Sequence, residues 1–185
     1  MILLIFLLAH FWDEKPPGDW TIEEVRVFLT NSPWATVSRA AMSSPLPVHI
    51  ASAEPMIQAE ARERKAMRRE GGLGPNFEDY QDLVRSGKYI TLAVLMLEDQ
   101  AISDSQESRS LERDSFLHVG KRSYKVYTYF PPSPSDPYLR YVFPRDVRLT
   151  DKLLAFDIYI PGAASPQRHL LFPLKDLMYH GKPAY

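Results

Sequence analysis

From Ser115 onward the chain takes on a period of two, and no other feature constrains its fold as much. Successive side chains of a strand point to opposite faces, so alternation marks a strand with one covered side. Residues 116–119, 124–130, 138–143, 153–160 and 169–174 read as successive strands. In 124–130, Tyr124, Val126, Thr128 and Phe130 are expected on one face, and Lys125, Tyr127 and Tyr129 on the other. In 153–160, Leu154, Phe156, Ile158 and Ile160 face the core, while Asp157 and Tyr159 face out. Such alternation suits an antiparallel sheet. The proline-rich loop 131–137 contains a PxxP match and reads as a stiff hairpin connection.

The first half of the chain is helical in pattern. Thr21 and Glu24 match a capping box, Trp20 and Val25 have the spacing of a hydrophobic staple, and Asn31-Ser32-Pro33 stops the helix of 21–29. Trp34 is expected to pack back on that helix. A short extended segment, 47–51, sets Val48 and Ile50 against His49. A polar helix over 55–70 follows, with a thin apolar face of Met56, Ala59, Ala66 and Met67. Its Arg and Lys residues alternate with Glu60, Glu63 and Glu70, which reads as a solvated face with ion pairs one turn apart. Glycines 71, 72 and 74 read as a helix stop, and Asn76 as the cap of a second helix reaching Val84. The run YITLAVLML, 89–97, predicts a strand buried on both faces at the centre of a sheet. Residues 99–114 read as a surface helix or a flexible excursion. Helices early and strands late predict an α+β fold: N-terminal helices packed on a mainly antiparallel sheet, with a C-terminal β-meander.

The chain opens on MILLIFLLAHFW. Its apolar run has the length of a signal-peptide core and falls far short of the ~20 residues that span a bilayer. Residues 1–9 are therefore expected to be a signal-peptide remnant, with 10–185 a single α+β domain of a secreted or periplasmic protein. No Lys or Arg precedes Ile2, so a basic leader would have to lie upstream. The other reading of the run is an N-terminal strand or helix turn in the core. A chain with no cysteine has no disulfide, zinc–cysteine site or thiol nucleophile, and must stand on its core. With 185 residues, 45% of them hydrophobic, it can do so as one domain. A net charge of −1 gives no global field toward nucleic acid or an anionic membrane.

Motifs for chemistry are absent. The five histidines are His10, His49, His118, His169 and His180, and none has a chelating spacing. No serine sits in GxSxG, and the glycines at 71–74 match no phosphate-binding pattern. No cofactor or metal is expected. The aromatic strands are the one positive signal. Tyr127, Tyr129, Tyr141 and Tyr159 could line an exposed sheet face as a candidate binding surface for a peptide or glycan, or could be ordinary core under a helix.

Two segments carry a family resemblance. FWDEKPPGDW…EEVRVFLTNSPWA, ending at Ala35, and FPLKDLMYHGK, 172–182, resemble a group of uncharacterised secreted bacterial proteins. Those proteins begin with a signal peptide and a tryptophan-plus-SPW segment and end in an FxLKDM…GK strand. Here Leu177 stands where the pattern has Met. The resemblance implies secretion and a shared fold. The group has no assigned activity, so it transfers no site residues.

Two functions follow as expectations. The first is a non-catalytic binding or structural module, with an envelope protein, peptide or glycan as partner, no nucleic acid, and no membrane span. The alternative is a hydrolase-type enzyme with an acid/histidine site drawn from Glu98, Asp99, His118 and His169.

Overall fold

The computed structural model describes residues 11–41, 43–67, 75–96, 105–133 and 135–185. Helix α1 (Phe11–Glu14), a 3-10 turn (Pro17–Asp19) and helix α2 (Ile22–Thr30) come first. The capping box forms as expected: Glu24 N–H donates to Thr21 Oγ1 at 3.2 Å, and Thr21 N–H to Glu24 Oε2 at 2.8 Å. Trp20, Phe28 and Trp34 are fully buried, and the Phe28 ring centroid lies 5.1 Å from that of Trp20 and 5.7 Å from that of Trp34. The tryptophans are thus core, because their spacing along the chain puts them on the packed side of one helix.

Strands β1 (Ala35–Ala40) and β2 (Ser43–Ile50) form a hairpin. Only part of β2, and none of β1, is foretold by the sequence pattern. Helix α3 (Glu54–Ala66) follows, then α4 (Pro75–Arg85) and β3 (Tyr89–Leu95). Asn76 lies inside α4, which Pro75 opens. Proline suits a first-turn position, where its missing N–H has no helical partner anyway. Among the described residues β3 is the middle of a five-stranded sheet. Ile90, Leu92 and Val94 join the main apolar core on one side, and Ala93 is fully buried on the other. That is the two-sided burial which an unbroken apolar run predicts.

The remaining elements are helix α5 (Ser105–Asp114) and strands β4 (Phe116–Val119), β5 (Arg122–Lys125), β6 (Thr128–Phe130), β7 (Tyr138–Pro144), β8 (Leu153–Tyr159), β9 (Gln167–Pro173), β10 (Met178–Tyr179) and β11 (Lys182–Pro183). The alternating segments do not lie side by side in one sheet. The order β1-β2-β3-β7-β6 makes one antiparallel sheet and β5-β4-β8-β9 a second. The segment expected as one strand over 124–130 is the corner between them. Val126 N–H donates to the C=O of Ser115, just before β4 of the second sheet, and Tyr127 N–H to Val142 C=O in the first. Val126 and Tyr129 both reach the core, three residues apart, so one residue is taken up in the bend and the alternation slips. The inner faces then meet: the Phe143 and Phe156 rings lie 5.5 Å apart, and Tyr141 Oη donates to Tyr159 C=O at 2.6 Å. Helix α5, within the segment read as surface helix or excursion, buries Leu111 in the same core.

The C-terminus closes the molecule. His180 and Gly181, both at positive φ (47° and 74°), make the two-residue turn between β10 and β11. This is the mirror-image turn that matches strand twist, and glycine adopts it without a Cβ penalty. Trp34 Nε1–H donates to Ala184 C=O at 2.6 Å, which ties the segment before β1 to the strands at 178–183. Among the described residues no helix is long and apolar enough to cross a membrane.

Replacing Trp34 with Phe removes that donor and leaves a buried carbonyl and a gap. The expected cost is about 2–4 kcal/mol. Urea unfolding should show a lower midpoint with an unchanged slope.

Candidate functional site

The outer face of the second sheet carries a row of titratable side chains. Asp157 of β8 stands directly opposite His169 of β9, and His118 of β4 lies diagonally across the other ladder. His169 Nδ1 sits 2.6 Å from Asp157 Oδ1, and His118 Nε2 2.9 Å from Asp157 Oδ2. Partial burial pushes the Asp157 carboxyl up. The hydrogen bond and charge of His169, then those of His118, outweigh it and hold the group below its ordinary value. An ionised carboxylate only accepts, so both imidazoles donate to it, and their tautomers follow. The Phe116 ring stacks on His118 at 6.2 Å, and Leu171 is half exposed beside His169 on β9. His118, Asp157 and His169 are all open to solvent.

Sequence reasoning named His118 and His169 as acid/histidine candidates, and the fold brings them together. It joins them through Asp157, a residue placed correctly on the outer face but not named with them. A signal existed: Asp157 and His169 lie symmetrically about the β8–β9 turn, so locating that turn pairs them. Glu98 and Asp99 lie outside the described residues.

The four tyrosines do not line one face. Tyr127 is 61% exposed and stacks on Tyr89, with centroids 5.0 Å apart. Tyr129 pairs across the strands with Tyr141 and packs on the core. Tyr141 is fully buried. Tyr159 lies against α5, where its hydroxyl donates to Glu107 at 3.2 Å. The slip at the sheet corner separates Tyr127 from Tyr129, and the second sheet covers Tyr141.

A second polar cluster is sealed between the first sheet and its helices. His49, Ala93 and Arg140 stand in one row across β2, β3 and β7. The small Ala93 leaves room for Glu60 of α3 to reach both neighbours. Arg140 Nη1 and Nη2 each donate to Glu60 at 2.9 Å, and His49 Nε2 lies 2.6 Å from Glu60 Oε1. Asp136 takes the other side of the guanidinium at 2.9 and 3.0 Å. The Tyr80 ring lies 4.4 Å from the guanidinium carbon, and its hydroxyl oxygen 3.2 Å from Arg140 Nη1. Arg140 is wholly buried and Glu60 nearly so. Burial pushes the Glu60 carboxyl up, but the Arg140 charge and the His49 contact drive it well below the carboxylate range. The sequence pattern puts Glu60 on a solvated face. The Arg64 pair one turn away does form, at 3.2 Å, but its carboxylate is buried because the sheet presents a cation to it. A hollow of about 190 Å³ between α3 and α4, lined by Ile57, Phe77, Tyr80 and Val84 among others, reaches this cluster. Among the described residues no group of His, Asp and Glu could hold a metal ion.

Glu60→Gln keeps the shape and strips Arg140 of half its counter-charge in the core. The expected loss is roughly 3–5 kcal/mol in urea unfolding at neutral pH. The native carboxyl is depressed, so its contribution is complete above the ordinary value of 4.5 and drains away as pH falls below it. Wild type and variant should therefore converge in stability as the solution is made acid.

Compared with known proteins, the chain matches no family model, no curated protein and no solved structure.

Proposed function

We propose that the chain is a secreted or periplasmic binding module, non-catalytic, that takes an envelope protein, peptide or glycan on the outer face of its second sheet. The observation that carries this reading is the His118–Asp157–His169 row on an open face, flanked by Phe116 and Leu171. An aromatic and an aliphatic surface beside oriented imidazoles is the mixture that peptide and glycan recognition uses. The apolar opening of the chain and the resemblance at its two ends support the address.

A second reading is a hydrolase-type enzyme. It is favoured by one detail: an imidazole held through Nδ1 by a carboxylate is the orientation of a general base. Loss of ester hydrolysis in His169→Ala would select it. Undiminished background hydrolysis would dismiss it.

The full chain and its Asp157→Asn variant should be compared on glycan and peptide arrays. The expected result is selective binding by wild type and a loss of about tenfold or more in the variant, equivalent to ~1.4 kcal/mol. Equal binding by both would overturn the placement of the site. Because Asp157 stays ionised to below the ordinary 3.8, binding should persist at that pH and be lost only as pH falls through the depressed value.

Intact mass on separated periplasmic and cytoplasmic fractions checks the address. A periplasmic species beginning near His10 is expected. A cytoplasmic species retaining Met1 would overturn secretion.

A further inference from the structure

The two sheets share a corner at β5–β6, and at their far ends two edge strands face each other. β1 ends the first sheet and β9 the second, and Cα atoms of the two come within 8 Å without forming a ladder. The seam is tied at one end, where Ser165 Oγ donates to Ala41 C=O at 2.7 Å. A cavity of about 470 Å³ lies between the strands.

The main chain on both sides of the seam is free to pair. Ile50 N–H donates to Trp34 C=O, which sets the alternation of bonded pairs along β1–β2. That alternation turns the N–H and C=O of Val37 away from β2, and Pro47 opposite it has no N–H to offer. Likewise Ile160 N–H donates to Pro166 C=O, and the alternation turns the main-chain groups of His169 and Leu171 away from β8. Both sets point into the seam.

Arg168 is the independent sign of a ligand. It lines the cavity and is only 4% exposed. Its Nη1 donates to the carbonyls of Ser165 and Gln167, while Nε and Nη2 have no partner. Among the described residues no carboxylate pairs with it. The contrast is Arg140, wholly buried, which two carboxylates grip. A buried guanidinium with idle donors is costly unless an anion meets it. Thr36 and Ser38 of β1 line the same cavity and lie opposite Val48 and Leu46, core residues of β2, so they stand on the inner side with Arg168.

We propose that the β1–β9 seam is a docking slot for an extended peptide of a partner protein, whose main chain pairs with the open edge of β9 and whose inward-facing Asp or Glu meets Arg168. Strand addition supplies main-chain hydrogen bonds, and the one inward carboxylate supplies selectivity. The slot rests on the reading of the chain as a binding module, and it adds a second surface to that reading.

The test is selection of a phage-displayed decapeptide library on the full chain, followed by amide hydrogen exchange with the best synthetic peptide. Selected peptides should carry an Asp or Glu among β-branched residues and protect the amides of His169 and Leu171. Changing that acid to its amide, or Arg168→Met in the protein, should each weaken binding about tenfold or more. Arg168→Met removes an uncompensated charge, so its folding is checked by Tm, and the exchange map on wild type needs no variant. No selected binder, binders indifferent to the acid, or protection outside the seam would overturn the slot. So would a dimer of the chain formed through β1 and β9. Peptides that depend on Asp157 but not on Arg168 would overturn it too, and would leave the binding-module reading standing.

Discussion

A guanidinium placed inside the domain has to be neutralised there, and Arg140 imposes that demand on everything around it. Removing a cation of this size from water costs several kcal/mol even after relaxation. The compensation comes from Glu60 on α3 and Asp136 in the loop before β7, both hydrogen-bonded to it. Helix α3 must therefore lie over Ala93, the loop must fold back over β7, and His49 must sit beside Glu60. Apolar packing alone would let a helix slide on a sheet. A bidentate pair between planar groups fixes its position and rotation.

The apolar core carries the other half of the architecture. Two sheets meet at one corner, between β5 and β6, and their inner faces interdigitate through Phe143, Phe156 and Tyr141. Closing the corner leaves β1 and β9 as edges that approach each other. Open edges are ordinarily covered or blunted, because unpaired main-chain groups recruit other strands. Here Arg39 and Gln167 are exposed at the seam, while its inner side holds Thr36 and Ser38 rather than large aliphatic side chains.

What was legible in the sequence was local. The capping box spans four residues, and its two hydrogen bonds depend on nothing distant. The unbroken apolar run at 89–97 suggests a strand covered twice, and β3 is the middle strand of its sheet. His49 was placed against Val48 and Ile50, and it does leave the core face to them. What was not legible was set across the fold. Nothing near Val126 announces that the strand changes sheets there, because the bend is dictated by Ser115 and Val142. Glu60 looks like any helical glutamate until Arg140, 80 residues away, is packed beneath it. The histidine row shows the same limit. His118 is 39 residues from Asp157, and only the register of β4 on β8 joins them.

Arg140 and Arg168 together show how burial alone fails to define a role. Both are inward-facing cations on strands, and both are almost removed from water. Arg140 sits on the side of its sheet that two helices cover, so the chain can bring carboxylates to it from elements it already needs there. Arg168 sits on an edge strand, next to a seam that no element of the described chain fills. Its available acceptors are main-chain carbonyls of its own turn, and they satisfy one nitrogen of three. A carboxylate from within the chain would have to enter through the seam, which is also the route open to a partner. The polar group that the fold leaves unfinished thus lies on an edge strand that the fold leaves unpaired, and one extended acidic segment would satisfy both.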